Sequence, residues 1–351
     1  MNKFNSSHES SSRGRKQTNG LLVILIALLL VPLNAVAISP AELAVVININ
    51  DPVSIQIGDY YRQVREIPEE NVFRVSFTPN QSGLAVEEFE RVKAYLDSQL
   101  PDRIQALALT WMRPYRVGCM SITTAFAAGY DKVFCSTTCT PTRISPYFDS
   151  NSTQPYIDFK IRPTMMLAAR DFKNAKLLIS KGKKSDGTFP NGTAYLLKTT
   201  DKNRSVRASL YPQIVRRLGG SLLNINLVNG DVIEGKRDIL FYFTGLTWVT
   251  RLASNRFLPG AIADHLTSSG EVLDGQNQMS SLRWLEAGAT GSYGTVVEPC
   301  AFIGKFPHPG VVMDRYLKGE TLIEAYWKSV QQPGQGVFIG EPLASPFHQK
   351  N

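Results

Sequence analysis

Between Leu258 and Gly310 the chain gathers most of the side chains able to do chemistry: Asp264, His265, Ser292, Glu298, Cys300 and His308. A thiol beside an imidazole is the first arrangement to weigh. The imidazole takes the thiol proton and leaves a nucleophilic thiolate near neutral pH. His265 closes the apolar run Pro259–His265, and Cys300 follows the run Ala289–Val297. Two neighbouring parallel strands would bring both ends to one edge of a sheet, where open α/β folds bind ligands. His265 and Cys300, with Asp264 to orient the imidazole, are therefore the candidate catalytic residues. Thr244, Gly245, Ser292 and Glu298 complete a candidate binding edge. The competing reading makes Cys300 a disulfide partner and His265 a hydrogen-bonded loop residue.

Other chemistries fit the spacing less well. Thr290-Gly291-Ser292-Tyr293-Gly294 differs from a G-x-S-x-G elbow in its first residue. That elbow needs a strand before the serine and a helix after it, and here the order is reversed. Asp264, His265, Glu298 and His308 offer carboxylate and imidazole ligands suited to a divalent ion. Their spacing is irregular and no HExxH pair occurs, so no metal or other cofactor is expected. Trp284 and Trp327 fall within amphipathic helical patterns, which favours core packing over a glycan platform.

The elements that must position these residues alternate in type. Leu43–Ile49 is a continuous apolar run, as in a strand buried on both faces. Asp51-Pro52 then supplies an N-cap and a first-turn proline for a helix to about Glu66. Val72–Phe77, Ile104–Trp111, Ala194–Thr199, Leu222–Val228, Ile239–Phe243 and Gly336–Ile339 read as further strands. Leu84–Leu100, Met165–Ser180, Arg204–Leu218 and Glu320–Val330 read as helices, with a polar turn at Lys181–Asn191. The alternation predicts an α/β fold with a mostly parallel sheet flanked by helices, as in flavodoxin-like folds. No repeat is visible in the sequence. Met112 to Pro163 is too long for a plain connection and reads as an irregular insertion.

Composition narrows the setting. Arg13, Arg15 and Lys16 precede an apolar core from Leu21 to Leu33, and Ala35-Val36-Ala37 follows as an A-x-A site. This is the pattern of a secretory signal peptide, residues 1–37, with cleavage near Ala37. Residues 38–351 then form one α/β domain, exported to the periplasm or beyond, without a membrane span. The formal charge of +8 is spread thinly, with no basic–aromatic alternation, so nucleic acid is not expected as a partner. Cys119, Cys135, Cys139 and Cys300 are an even set in an oxidising compartment and predict disulfides that staple the loops. Cys135 and Cys139 could close a small local loop, leaving Cys119 and Cys300 to pair or stay free. The other two connectivities stay open.

Several strings carry a family resemblance: RPYRVGCMSITTAFA, PGAIADHLTSSG, AGATGSYGTVVEPC, KFPHPGV and EAYWKSVQQPGQGVFIGEPLASPF. They resemble an uncharacterised family of exported bacterial proteins that co-occurs with exosortase, which sorts proteins with PEP-type C-terminal anchors. The likeness runs from about Val45 to Phe347. It implies a place in envelope sorting, with envelope or surface proteins or polysaccharide as partners, and it implies no activity. A more distant likeness is to gingipain-like and caspase-like cysteine peptidases, where strand–His-Gly precedes strand–Cys. Thr244-Gly245 stands where that pattern has His-Gly, and Asp264-His265-Leu266 where it has Cys. The resemblance thus implies a binding or assembly factor on a peptidase-like fold. The alternative is a diverged hydrolase using His265 and Cys300.

Overall fold

A computed structural model of the chain describes residues 37–136, 138–220, 223–272 and 277–349. The export-signal reading of residues 1–36 lies outside them.

The first part of the chain lays down β1 (Leu43–Asn48), α1 (Pro52–Arg65), β2 (Val72–Val75), β3 (Gly83–Leu84), α2 (Val86–Gln99) and β4 (Ala106–Leu109). It continues through β5 (Arg116–Val117), β6 (Met120–Ser121), α3 (Ile122–Ala128), α4 (Pro155–Phe159), β7 (Thr164–Met166) and α5 (Phe172–Ser185). The Asp51 carboxylate accepts the Val53 N–H at 2.9 Å, which caps α1 as its Asp-Pro start predicts. All six residues of β1 are buried, as its unbroken apolar run requires. The short strands β3, β5 and β6 form a separate small sheet in the irregular region.

The second part supplies β8 (Thr193–Lys198), α6 (Tyr211–Leu218), β9 (Asn224–Asn229), β10 (Ile239–Thr244), β11 (Phe257–His265), α7 (Leu282–Ala287) and β12 (Gly291–Thr295). It ends with α8 (Pro309–Leu317), α9 (Leu322–Ser329) and β13 (Gly336–Gly340). The ten main strands run in the order β2-β1-β4-β7-β13-β12-β11-β10-β8-β9. Every neighbouring pair is parallel except β12 and β13, which are antiparallel. The sheet is therefore two parallel halves running in opposite directions and joined at that seam. Counted along the chain, each half follows the flavodoxin-like order 2-1-3-4-5, with β13 filling the fifth place of the first half. One contact repeats as well. The Asn48 N–H donates to Ser54 Oγ at 3.0 Å, and the Thr199 N–H donates to Ser205 Oγ at 2.9 Å, each acceptor lying six residues downstream of its donor.

Helices cover both faces. One core spans the whole sheet beneath α1, α5, α6, α8 and α9. On the other face α2 and α3 cover the first half, and Trp284 of α7 anchors a core over the second. Trp284 and Trp327 are buried core residues, Trp327 stacking on Phe338 at 4.6 Å.

Three expectations need correction. The helical reading of Met165–Ser180 begins inside β7; the helix starts only after its N-cap, Asp171, and runs on to Ser185 through part of the expected polar turn. Three residues of strand are too few to interrupt a helical periodicity, so the pattern alone misplaces the boundary. The helix α8 has no counterpart in the sequence reading; its eight consecutive buried residues, Pro309–Tyr316, hide any amphipathic stripe. The disulfides join Cys119 to Cys135 and Cys139 to Cys300, not the favoured local pair. Phe134, Thr142 and Ser145 lie against the segment 331–334 beside the seam, which carries Cys139 to Cys300.

Candidate functional site

The carboxyl ends of β10, β11 and β12 lie side by side, because these strands are parallel neighbours with Thr244 opposite His265. Consecutive strand residues point to opposite faces, so Asp264 and His265 serve different environments.

On one face Asp264 Oδ1 lies 2.6 Å from Arg207 Nη2, and both side chains are 1% exposed. Arg207 also donates from Nη2 to the Thr244 carbonyl at 2.8 Å and from Nη1 to the Pro307 carbonyl at 3.2 Å. Burial pushes the Asp264 carboxyl above its usual range, and the guanidinium offsets part of that rise. Asp264 Oδ2 and Arg207 Nε have no hydrogen-bond partner. Asp264 is thus tied to a cation rather than turned towards His265.

On the other face both ring nitrogens of His265 are engaged. Nδ1 accepts the Trp284 indole N–H at 2.9 Å, and Nε2 lies 3.0 Å from the Met279 carbonyl. An indole nitrogen only donates and a carbonyl only accepts, so the proton sits on Nε2 and the ring is neutral. Burial drives its pKa down to about 3. This imidazole has no lone pair left for a thiol proton.

The crevice above the strand ends is filled by the chain itself. A Cβ on Gly245 would meet the Arg204 carbonyl oxygen at 1.8 Å, so only glycine permits this approach. Arg204 Nε then donates to Thr267 Oγ1 at 3.2 Å. In an open α/β sheet the reversal of strand order, here between β8 and β10, is where a ligand would enter. Arg204, Ser205 and Arg207 occupy that position.

The remaining candidates are held apart. Ser292 is buried with no partner on Oγ. Glu298 accepts the Cys300 backbone N–H at 2.7 Å. Cys300 Sγ is bonded to Cys139, so no thiol is present for the expected dyad. His308 caps α8, its Nδ1 accepting the Val311 N–H at 3.3 Å. Among the described residues no group of three or more His, Cys, Asp or Glu side chains is placed to hold a metal ion. Among them, too, no helix is long and apolar enough to cross a membrane.

No family model, curated protein or solved structure matches this chain.

Three functional-looking groups escape sequence reasoning. Arg207 sits in a segment with several other basic residues, and nothing in its spacing sets it apart. Glu341 receives Tyr61 at 2.7 Å and Arg65 Nε at 2.9 Å, and Arg65 also pairs with Asp186. The Gly340-Glu341-Pro342 string is visible in the sequence, but its partners lie more than 270 positions away. Glu271 is fully buried, with Oε2 accepting from Ser281 and Oε1 unpartnered.

Burial holds the Glu271 carboxyl well above the usual range, the Ser281 hydroxyl offsetting a part. The folded chain therefore keeps this proton to higher pH than the unfolded chain does. The stability Glu271 contributes is full below about pH 4.3 and falls as pH rises towards the folded pKa. Between those two limits Glu271→Gln should gain on the parent chain by about 1.4 kcal/mol for each pH step of one. Urea unfolding of both chains at about pH 5 and about pH 8 measures this. A stability difference independent of pH would show that Glu271 is ionised in the fold.

Proposed function

We propose that the protein is an exported, non-catalytic binding factor of envelope protein sorting, and that it binds an extended acidic segment of its partner. One observation carries this reading: an open groove of about 400 Å³ beside the carboxyl ends of β1 and β2, lined by Ile49, Arg74, Glu88, Arg91 and Tyr95 among others. Ile49 and Tyr95 are 47% and 56% exposed. Glu88, Arg91 and Tyr95 follow helical spacing along α2 and form one face. An aromatic ring beside two guanidinium groups suits a proline-containing segment with a carboxylate, since aromatic grooves take polyproline conformations and Arg pairs with acids. The groove lies at the first half's strand ends. A hydrolase working through His265 and Cys300 would have to break the Cys139–Cys300 bond and displace Trp284 and Met279.

The test uses a fluorescent synthetic peptide bearing Pro-Glu-Pro and the folded, oxidised protein. Saturable binding is expected, weakened about tenfold or more by Tyr95→Ala and by Arg91→Glu at unchanged thermal stability. A Pro-Gln-Pro peptide should bind more weakly. Failure of the Pro-Glu-Pro peptide to bind, or binding indifferent to both substitutions, would overturn the reading.

A further inference from the structure

The first described residues are buried. Ala37 is 8% exposed and Ile38 3%. The Ile38 backbone nitrogen lies 3.1 Å from Glu324 Oε2, across 286 positions of sequence. Glu324 is fully buried at the third position of α9, where its Oε2 also accepts the Thr321 N–H at 3.0 Å and the Thr321 hydroxyl. A helix-capping role accounts for those two bonds. It does not account for Oε1, which is buried and has no partner.

The charges nearby are out of balance. Arg315 faces Asp149 at 2.8 Å and Glu320 at 3.5 Å, and Lys328 faces Glu320 at 2.9 Å. Among the described residues no cation stands within ion-pair distance of Glu324. Lys328 acts on Glu324 from beyond that distance and offsets only part of the burial that pushes its carboxyl up; a donor-rich cation at Ile38 N would offset more of that cost.

We propose that Ala37–Ile38 is a processing site and that the new α-ammonium of Ile38 pairs with Glu324 inside the fold. Hydrolysis of this bond by a signal-peptidase-class enzyme consumes one water, leaving a carboxylate on Ala37 and an ammonium on Ile38. The three N–H groups of the ammonium can serve both Glu324 oxygens, where the amide of an uncut chain offers one. Because both residues are buried, the cut precedes folding. The completed ion pair then fastens the chain start to α9, so the processed chain is the one in which both Glu324 oxygens are partnered. Ala35-Val36-Ala37 supplies the small-x-small sequence such an enzyme reads.

The full chain is produced in a host that exports it, and its first residue is read from intact mass. Ile38 is expected. The folded protein is then treated with an α-amine-selective reagent near neutral pH. The Ile38 amine should react about a hundredfold more slowly than in the urea-unfolded chain, as a buried ion pair implies. Glu324→Gln should restore fast labelling. Should that variant not fold, a chain released one residue earlier, beginning at Ala37, keeps Glu324 and serves instead. It should label fast and melt several degrees lower. A first residue other than Ile38, or a folded Ile38 amine that reacts as fast as the unfolded one, would overturn the proposal. Equal labelling and equal melting of the chains starting at Ala37 and Ile38 would also overturn it.

Discussion

Asp264→Ala is expected to lower the unfolding free energy by about 3–5 kcal/mol at neutral pH. The reason is the guanidinium left behind. Arg207 is buried with Asp264 as its ion-pair partner; its other two hydrogen bonds go to neutral carbonyls, and its guanidinium lies 5.7 Å from the centre of the Phe243 ring. Those carbonyls satisfy hydrogen bonds but not charge. The interaction also joins elements far apart in sequence: the turn before α6, the ends of β10 and β11, and Pro307 ahead of α8. Removing one partner therefore loosens several packed segments together. The paired replacement Arg207→Met with Asp264→Leu removes both charges at similar volume and should recover most of the loss. Urea unfolding at neutral pH measures all three chains. A loss below about 1 kcal/mol for Asp264→Ala would mean that water already reaches the pair, since that is the range of an exposed salt bridge.

This pair also explains why the site is only half legible in the sequence. The strand ends are readable. Ile239–Phe243 and Pro259–His265 are apolar runs bounded by polar residues, and both are strands at nearly those limits. Readable too is that His265 and Cys300 follow neighbouring strands. What each side chain does there depends on partners without a sequence signal. Trp284 lies 19 positions from His265 and meets it only because α7 folds back over the sheet. Arg207 reaches Asp264 because the chain after β8 fills the crevice that open sheets leave for ligands. Alternating apolar runs likewise predict a parallel sheet but carry no direction, so two opposed halves look the same as one continuous sheet. The seam is set by β13 entering antiparallel to β12, a pairing that the short run of Gly336–Gly340 does not reveal.

The cysteines show the same limit, and they yield the second large effect. Proximity in sequence favours Cys135 with Cys139, yet the bonds are Cys119–Cys135 and Cys139–Cys300, spanning 16 and 161 positions. Loop-closure entropy lost by the unfolded chain grows with the logarithm of that span, to about 3 and about 5 kcal/mol respectively. Replacing Cys139 and Cys300 together by Ser should therefore destabilise the protein more than replacing Cys119 and Cys135. The longer bond also tethers the irregular insertion to the loop after β12. The insertion is held there independently by the Thr142 N–H to Gln332 Oε1 at 2.7 Å and the Ser145 N–H to the Gln331 carbonyl at 2.8 Å. Those bonds keep the native geometry when the disulfide is absent, so the loss should fall on the unfolded state and leave the folded spectrum unchanged. Equilibrium unfolding of the two double variants, each with its remaining disulfide intact, gives the comparison. If the Cys139/Cys300 variant proves no less stable than the Cys119/Cys135 variant, the unfolded chain already keeps the insertion near the seam, and the bond records that proximity rather than creating it.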